Sequence, residues 1–201
     1  MDLKKHYTDL FHEHGDSSNA VQYSDSKTQI KRFEILKEID VKLNSVIDIG
    51  CGLGHLYDYL SSEQSIDYLG LDFVEEFIHQ ANKTHPEKNV NFKTFDIITE
   101  EIPLNYDYIM LSGVFNNKME DNWLFMKNTL KKMYNSANKG ISFNAMSTYV
   151  DYQDESLFYV NPCKVFDFCK TEFGAKRITL RNDYLVKENS VPFEFAMYIY
   201  K

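Results

Sequence analysis

Three glycines and a carboxylate stand together in the stretch VIDIGCGLGHL, residues 46–56. Gly50, Gly52 and Gly54 alternate with Cys51 and Leu53, and Asp48 interrupts the apolar run before them. Glycines in a turn let the backbone approach a ligand closely. A helix starting behind the turn offers free N–H groups to an anion. A carboxylate inside an apolar strand needs partners, and a ligand can supply one. A second carboxylate, Asp72, ends YLGLD. About 20 residues past the turn, such a group can accept from both hydroxyls of a ribose, or cap the helix that follows. A third, Asp96, lies at the end of FKTFD. The chemistry these residues suit is the seating of a large, nucleoside-like ligand.

The spacing narrows that ligand. A dinucleotide fingerprint reads G-x-G-x-x-G, with its last glycine allowing close helix packing. Here that position is His55, and the third glycine falls one residue early. No G-x-x-x-x-G-K-[ST] occurs, which removes a phosphate-cradling loop of that type.

Elements of fixed order must position these groups. A polar N-terminal stretch, residues 1–25, reads as loop, and a helix follows over 26–39 with Ile30, Phe33, Leu36 and Ile39 on one face. Strand and helix then alternate from 45 to 146, which requires a parallel sheet with helices on both faces. Pro162 opens a last helix that ends before Gly174. AKRITLRND and PFEFAMYIYK have no helix between them, so they form an antiparallel hairpin at or beside one edge. The expected fold is α/β: a Rossmann-like, doubly wound, mostly parallel seven-stranded sheet with an antiparallel C-terminal hairpin strand. We expect one domain over 1–201, with 1–40 as a loop and helix covering the ligand site and 45–201 as the sheet core.

Composition sets outer bounds. Lys and Arg total 22 against 30 Asp and Glu, a net charge of −8, which disfavours grip on a nucleic-acid backbone. Cys51, Cys163 and Cys169 form no C-x-x-C pair and no disulfide framework. With no apolar run near 18 residues, the expectation is a soluble, cytoplasmic protein without a membrane partner. Oligomeric state is not legible.

The arrangement of Asp48 and the three glycines resembles motif I of the class I S-adenosylmethionine-dependent methyltransferases. The resemblance covers residues 45–146 and extends to the terminal hairpin. It implies S-adenosylmethionine as cofactor and S-adenosylhomocysteine as product. In that family the carboxylate at the place of Asp48 helps hold the methionine end. Gly50, Cys51, Gly52, Gly54 and His55 make up the turn around the cofactor. Asp72 takes the place of the ribose partner and Asp96 that of the adenine partner, with Phe73 or Ile97 sandwiching the ring. Ser112, in YDYIMLSGVFN, corresponds to motif IV. The [DN]-P-P-[YF] of amino-directed DNA methyltransferases is absent there, and no Pro-Cys nucleophile lies near that strand. The flanks are similar to small stand-alone bacterial methyltransferases, some of them from surface-polysaccharide or natural-product pathways.

The implied reaction is methyl transfer to a small molecule, with O-methylation of a sugar, phosphorylated or natural-product acceptor favoured. A cofactor-binding protein without turnover, and a nicotinamide-dependent oxidoreductase, are the alternatives. In-line displacement asks the enzyme chiefly to align the acceptor and exclude water, and an alcohol can need a base. HEHGDS offers His14 for that role and the segment after the fifth strand offers Asp151. His79 and His85 read as surface residues, and no metal site is expected. The long connection NAMSTYVDYQDESLFYV suggests acceptor contacts by Asn144, Ser147, Tyr149 and Tyr152. Asn116, Arg181, Asp183 and Tyr184 complete the set. Arg181 suits an acidic acceptor, or a local ion pair with Asp183.

Overall fold

A computed structural model describes residues 3–22 and 25–201. The described residues open with a helix, α1 (Leu3–His14), and a 3-10 turn (Ser18–Val21), where the sequence reading has a loop. Leu3, Tyr7, Leu10 and Phe11 do recur at helical spacing. The charged residues between them hid that stripe, and α1 has no buried residue. Tyr7 and Phe11 set their rings edge-on against Phe77 at 6.2 and 5.7 Å.

In α2 (Ser26–Lys37), the Asp25 side chain caps the start by accepting from the Thr28 N–H at 2.8 Å. The buried face is Thr28, Gln29, Arg32, Phe33, Ile35 and Leu36, whereas Ile30 is 43% exposed. Of the apolar face expected, Phe33, Leu36 and Ile39 are buried and only Ile30 is not; the buried stripe widens instead to Gln29 and Arg32, which find polar partners in His55 and Glu194.

The sheet contains β1 (Ser45–Ile49), β2 (Asp67–Asp72), β3 (Val90–Thr94), β4 (Tyr108–Leu111), β5 (Gly140–Ser147), β7 (Arg177–Arg181) and β8 (Glu194–Tyr200), in the order β3-β2-β1-β4-β5-β8-β7. A two-residue strand, β6 (Tyr159–Val160), adds beside the end of β5. All neighbours are parallel except β8, which runs antiparallel between β5 and β7. The helices α3 (His55–Ser61), α4 (Glu75–Thr84), α5 (Asn122–Ser136) and α6 (Pro162–Phe173) fill the connections.

Alternation along the strands sorts the two faces. Val46, Tyr68, Tyr108 and Met110 pack with α2, α3 and α4, through Leu36, Leu56, Leu60 and Ile78. Ile47, Ile49, Ile109 and Phe143 pack with α5 and α6, through Met126, Leu130 and Val165. The strand order reverses between β1 and β4, and ligands of open α/β sheets bind at the strand carboxyl ends beside that reversal. No helix among the described residues is long and apolar enough to cross a membrane.

Candidate active site

The glycine turn lies at that reversal. Gly50, Gly52 and Gly54 all have positive φ, at +73°, +53° and +89°, a region that side chains rarely adopt. The N–H groups of Gly50 and Cys51 donate to the Leu71 carbonyl at 2.7 and 3.2 Å, which folds the turn across the end of β2. A Cβ on Gly50 would sit 2.3 Å from Cγ2 of Val114, and one on Gly52 would sit 2.7 Å from Cγ1 of Val21. The 3-10 turn and the segment after β4 therefore both close directly on the glycine turn.

Two carboxylates are buried beside it. Asp48 is 3% exposed; Tyr68 donates its hydroxyl to Oδ2 at 2.6 Å, and Oδ1 has no partner. Burial raises Asp48 to about 7, partly opposed by the Tyr68 hydrogen bond and assisted by the Asp72 charge. Asp72 is 6% exposed; Oδ2 accepts from the Gly52 N–H and Oδ1 from the Val74 N–H, both at 2.9 Å. Burial raises it to about 6 against those backbone donors. Asp72 ties the glycine turn to the residues just before α4; it bonds the N–H of Val74, which itself holds the N-cap position, so Asp72 is not the cap of that helix. Cys51 is buried, and desolvation lifts its thiol well above the ordinary range, which removes it as a nucleophile.

Asp96 lies two residues beyond β3, not at its end. Its Oδ1 accepts from Ile98 N at 2.8 Å, and its own N–H donates to Glu100, so it shapes a tight turn. Phe73 and Ile97 are half-buried, and Phe73 meets Tyr7 edge-on at 6.2 Å. Ser112 is half-buried where β4 ends.

A buried polar network that the sequence reading missed joins distant elements on the α2 face. Arg32 donates from Nε to Oε2 of Glu194 at 2.9 Å, 162 residues away. Oε1 of Glu194 accepts from Asn144 Nδ2 and from the Tyr184 hydroxyl, each at 3.2 Å. Asn144 Oδ1 accepts from Gly113 N–H at 2.8 Å. Burial next to Glu194 holds the Tyr184 phenol above its usual range, so it remains a donor. A cation in the buried stripe of α2, and a glutamate between phenylalanines in FEF, were the available signals. Arg32→Ala leaves Glu194 buried without its charge partner, so unfolding free energy should fall by about 3–5 kcal/mol, read from urea midpoints.

Residues 47–140 match the family model described as a methyltransferase domain. The Mycobacterium tuberculosis protein Rv1506c, which bears the name of a methyltransferase, is 31% identical over 155 residues, covering 73% of this chain and 90% of that protein. The chain belongs to the class I S-adenosylmethionine-dependent methyltransferases. Among solved structures, the magnesium protoporphyrin IX methyltransferase of Synechocystis PCC 6803, with bound S-adenosylhomocysteine, superposes with a TM-score of 0.69. It is 13% identical, with 99% of this chain and 96% of that one covered. The DhpI complex with S-adenosylmethionine and HEP also gives 0.69, at 14% identity and 98% and 95% coverage. At such identities the likeness is one of fold.

In this methyltransferase the acceptor candidates scatter. Asn144 and Tyr184 are 2% and 6% exposed and belong to the buried network, so they cannot line an open acceptor site. Ser147 is fully buried and accepts from Tyr149 N–H at 3.1 Å, fixing the turn after β5. Arg181 donates to Asp183 at 2.6 Å and also bonds Glu38, so its charge is already answered; the ion-pair reading replaces the acceptor reading for both residues. Asn116 has a buried Oδ1 without a partner, while its carbonyl accepts from Phe158 N–H. Asp151 and Tyr152 line a cleft of about 440 Å³ with Met146, Tyr159, Lys187 and Phe193. Tyr149 is 58% exposed, and its hydroxyl accepts from Asn161.

The histidines are redistributed too. His14 is exposed at the end of α1, 3.9 Å from Glu13, so we assign it no catalytic part. From the same stretch Asp16 reaches His55, at 3.5 Å, and Gln29 of α2 bonds the other His55 nitrogen at 3.2 Å. His85, expected at the surface, is buried against Tyr57 and Phe92. Tyr7 and Gln22, also missed, bond each other and Asn117, which ties the N-terminal segment to the chain after β4.

Proposed function

We propose that the methyltransferase seats S-adenosylmethionine across the glycine turn and transfers its methyl group to an oxygen of a small acceptor in the Asp151–Tyr152 cleft. The observation that carries the seat is the unpartnered Asp48 Oδ1, a buried carboxylate oxygen aimed at no protein donor. It fits a cofactor ammonium. Asp72 keeps acceptor capacity for a ribose, since the Gly52 and Val74 N–H groups leave part of the roughly four acceptor sites of a carboxylate open. Phe73, Asp96, Ile97, His55 and Ser112 complete the wall of the seat in this reading.

The cofactor supplies an electrophilic methyl group on a sulfonium that leaves as a neutral thioether. The chain's part is to hold, align and shield. The N-terminal segment acts as cover, with Val21 resting on Gly52 and Tyr7 and Gln22 pinned to Asn117. The cleft lies at the carboxyl end of β5, since Met146 follows Asn144 on the same sheet face. Its aromatic walls bind an apolar body, Lys187 attracts an anionic group such as a phosphate or sugar acid, and Asp151 receives the hydroxyl proton. A sugar, a phosphorylated metabolite or a natural product are the acceptors of this chemistry.

Calorimetric titration with S-adenosylhomocysteine, with NADH as control, tests the seat. Saturable binding of the first alone is expected. A folded protein that binds neither, or only NADH, ends the reading. Asp72→Ala should weaken S-adenosylhomocysteine binding by roughly 1–3 kcal/mol in the same titration.

A further inference from the structure

Asn144 was a candidate for the acceptor, yet it is 2% exposed and both ends of its amide are engaged within the fold. Its position explains why. β4 ends at Leu111, opposite Phe143 of β5. One residue further the ladder stops, and the chain turns at Gly113 with φ +76°. The Gly113 N–H, half-buried, then has no strand carbonyl to meet and needs another acceptor. Asn144 Oδ1 supplies it at 2.8 Å. That bond also fixes the amide orientation, because the flipped form would set NH2 against N–H. The freed NH2 points to Glu194 Oε1, and Glu194 is anchored in turn by Arg32 and Tyr184.

The next residue of the turn is Val114, whose Cγ2 fills the space above Gly50. One buried chain of hydrogen bonds therefore runs from α2 and β8 to the segment that closes on the glycine turn.

We propose that Asn144, anchored by Glu194, is a positioning residue that sets the turn after β4 against the glycine turn and so shapes the cofactor seat. The inference rests on the reading of that turn as the seat. Asn144 touches neither reactant; it acts through Gly113 and Val114. Glu194 holds the amide, and Arg32 holds Glu194.

The test compares S-adenosylhomocysteine affinity and thermal melting in four full-length proteins. Asn144→Ala should raise the dissociation constant about tenfold. Ser142→Ala is the control: Ser142 lies on the same face of β5, fully buried, and loses its 2.9 Å bond to the Leu36 carbonyl without touching the turn. It should lower the melting temperature comparably and leave affinity within twofold. Glu194→Gln keeps an acceptor for Asn144 but strands Arg32, so melting should fall most while affinity changes less than in Asn144→Ala. If the alanine protein does not fold, Asn144→Ser, whose hydroxyl is too short to bridge, gives the same readout. Unchanged affinity in a folded Asn144 variant overturns the proposal, as does an equal loss in Ser142→Ala. Failure of the wild type to bind is a different result, because it removes the cofactor seat itself.

Discussion

Asp48→Asn should make the ligand-free protein more stable at pH 8 and cost it most of its cofactor affinity. Both effects follow from one buried carboxyl. In an unfolded chain it titrates near 4, whereas in the fold burial raises it to about 7. Between those values the folded state holds a proton that the unfolded state has released. The stabilisation is complete below the unfolded value and is lost as pH rises through the folded one. Asp72, raised to about 6, works in the same direction. The wild type should therefore melt higher at pH 5.5 than its other carboxylates would dictate. The difference from Asp48→Asn isolates the Asp48 part. At pH 8 the variant should gain on the order of 2–4 kcal/mol in urea unfolding, and near pH 4 the gap should close. Affinity runs the other way. In the proposed seat an ionised Asp48 would meet the cofactor ammonium, so wild-type S-adenosylhomocysteine binding should weaken as pH falls below about 7. The asparagine protein should bind about ten- to a hundredfold more weakly at pH 8, the worth of one charged hydrogen bond. A variant that binds as tightly as the wild type would falsify the ammonium assignment.

Gly50→Ala should damage fold and seat together. The residue holds φ +73°, and a left-handed conformation costs an L-residue about 1–2 kcal/mol. Its new methyl group would lie 2.3 Å from Val114 Cγ2, so the turn after β4 has to move. Together these should lower stability by about 2–4 kcal/mol and reduce S-adenosylhomocysteine affinity more than tenfold. Gly15→Ala separates the two causes. Gly15 has φ +61° with nothing within 4 Å of an added Cβ. It should lose only the conformational part and bind normally. Val114→Ala in the Gly50→Ala background removes the colliding methyl groups and should restore part of both losses. No recovery in that double variant would mean that φ alone, not the contact with Val114, carries the effect.

These residues were legible before any coordinates because their signals are local. A glycine turn at the end of an apolar run, and Asp72 at the end of the next, sit within 25 residues of one another. Strand and helix periods are set by neighbours two to four residues apart, so the alternation over 45–146 pointed to a parallel sheet with helices on both faces, whereas the strand order and its reversal between β1 and β4 came from the tertiary structure. The terminal hairpin followed for the same reason, since only a missing helix had to be noticed.

What the tertiary structure decided is long-range or masked by polarity. α1 lies on the surface, held by Tyr7 and Phe11 against Phe77, and its thin stripe is outnumbered by charges. The burial of Arg32 in α2 depends on Glu194, which reaches it only because β8 inserts beside β5 in the register Met146 opposite Glu194. The same register converts Asn144 from an acceptor candidate into an internal brace, while the β7–β8 pairing holds Arg181 where it meets Glu38. A polar residue in sequence announces that it needs a partner. Which partner it finds is set by strand order and crossover, and for Asn144, Arg181 and Tyr184 the partner lay in the protein itself.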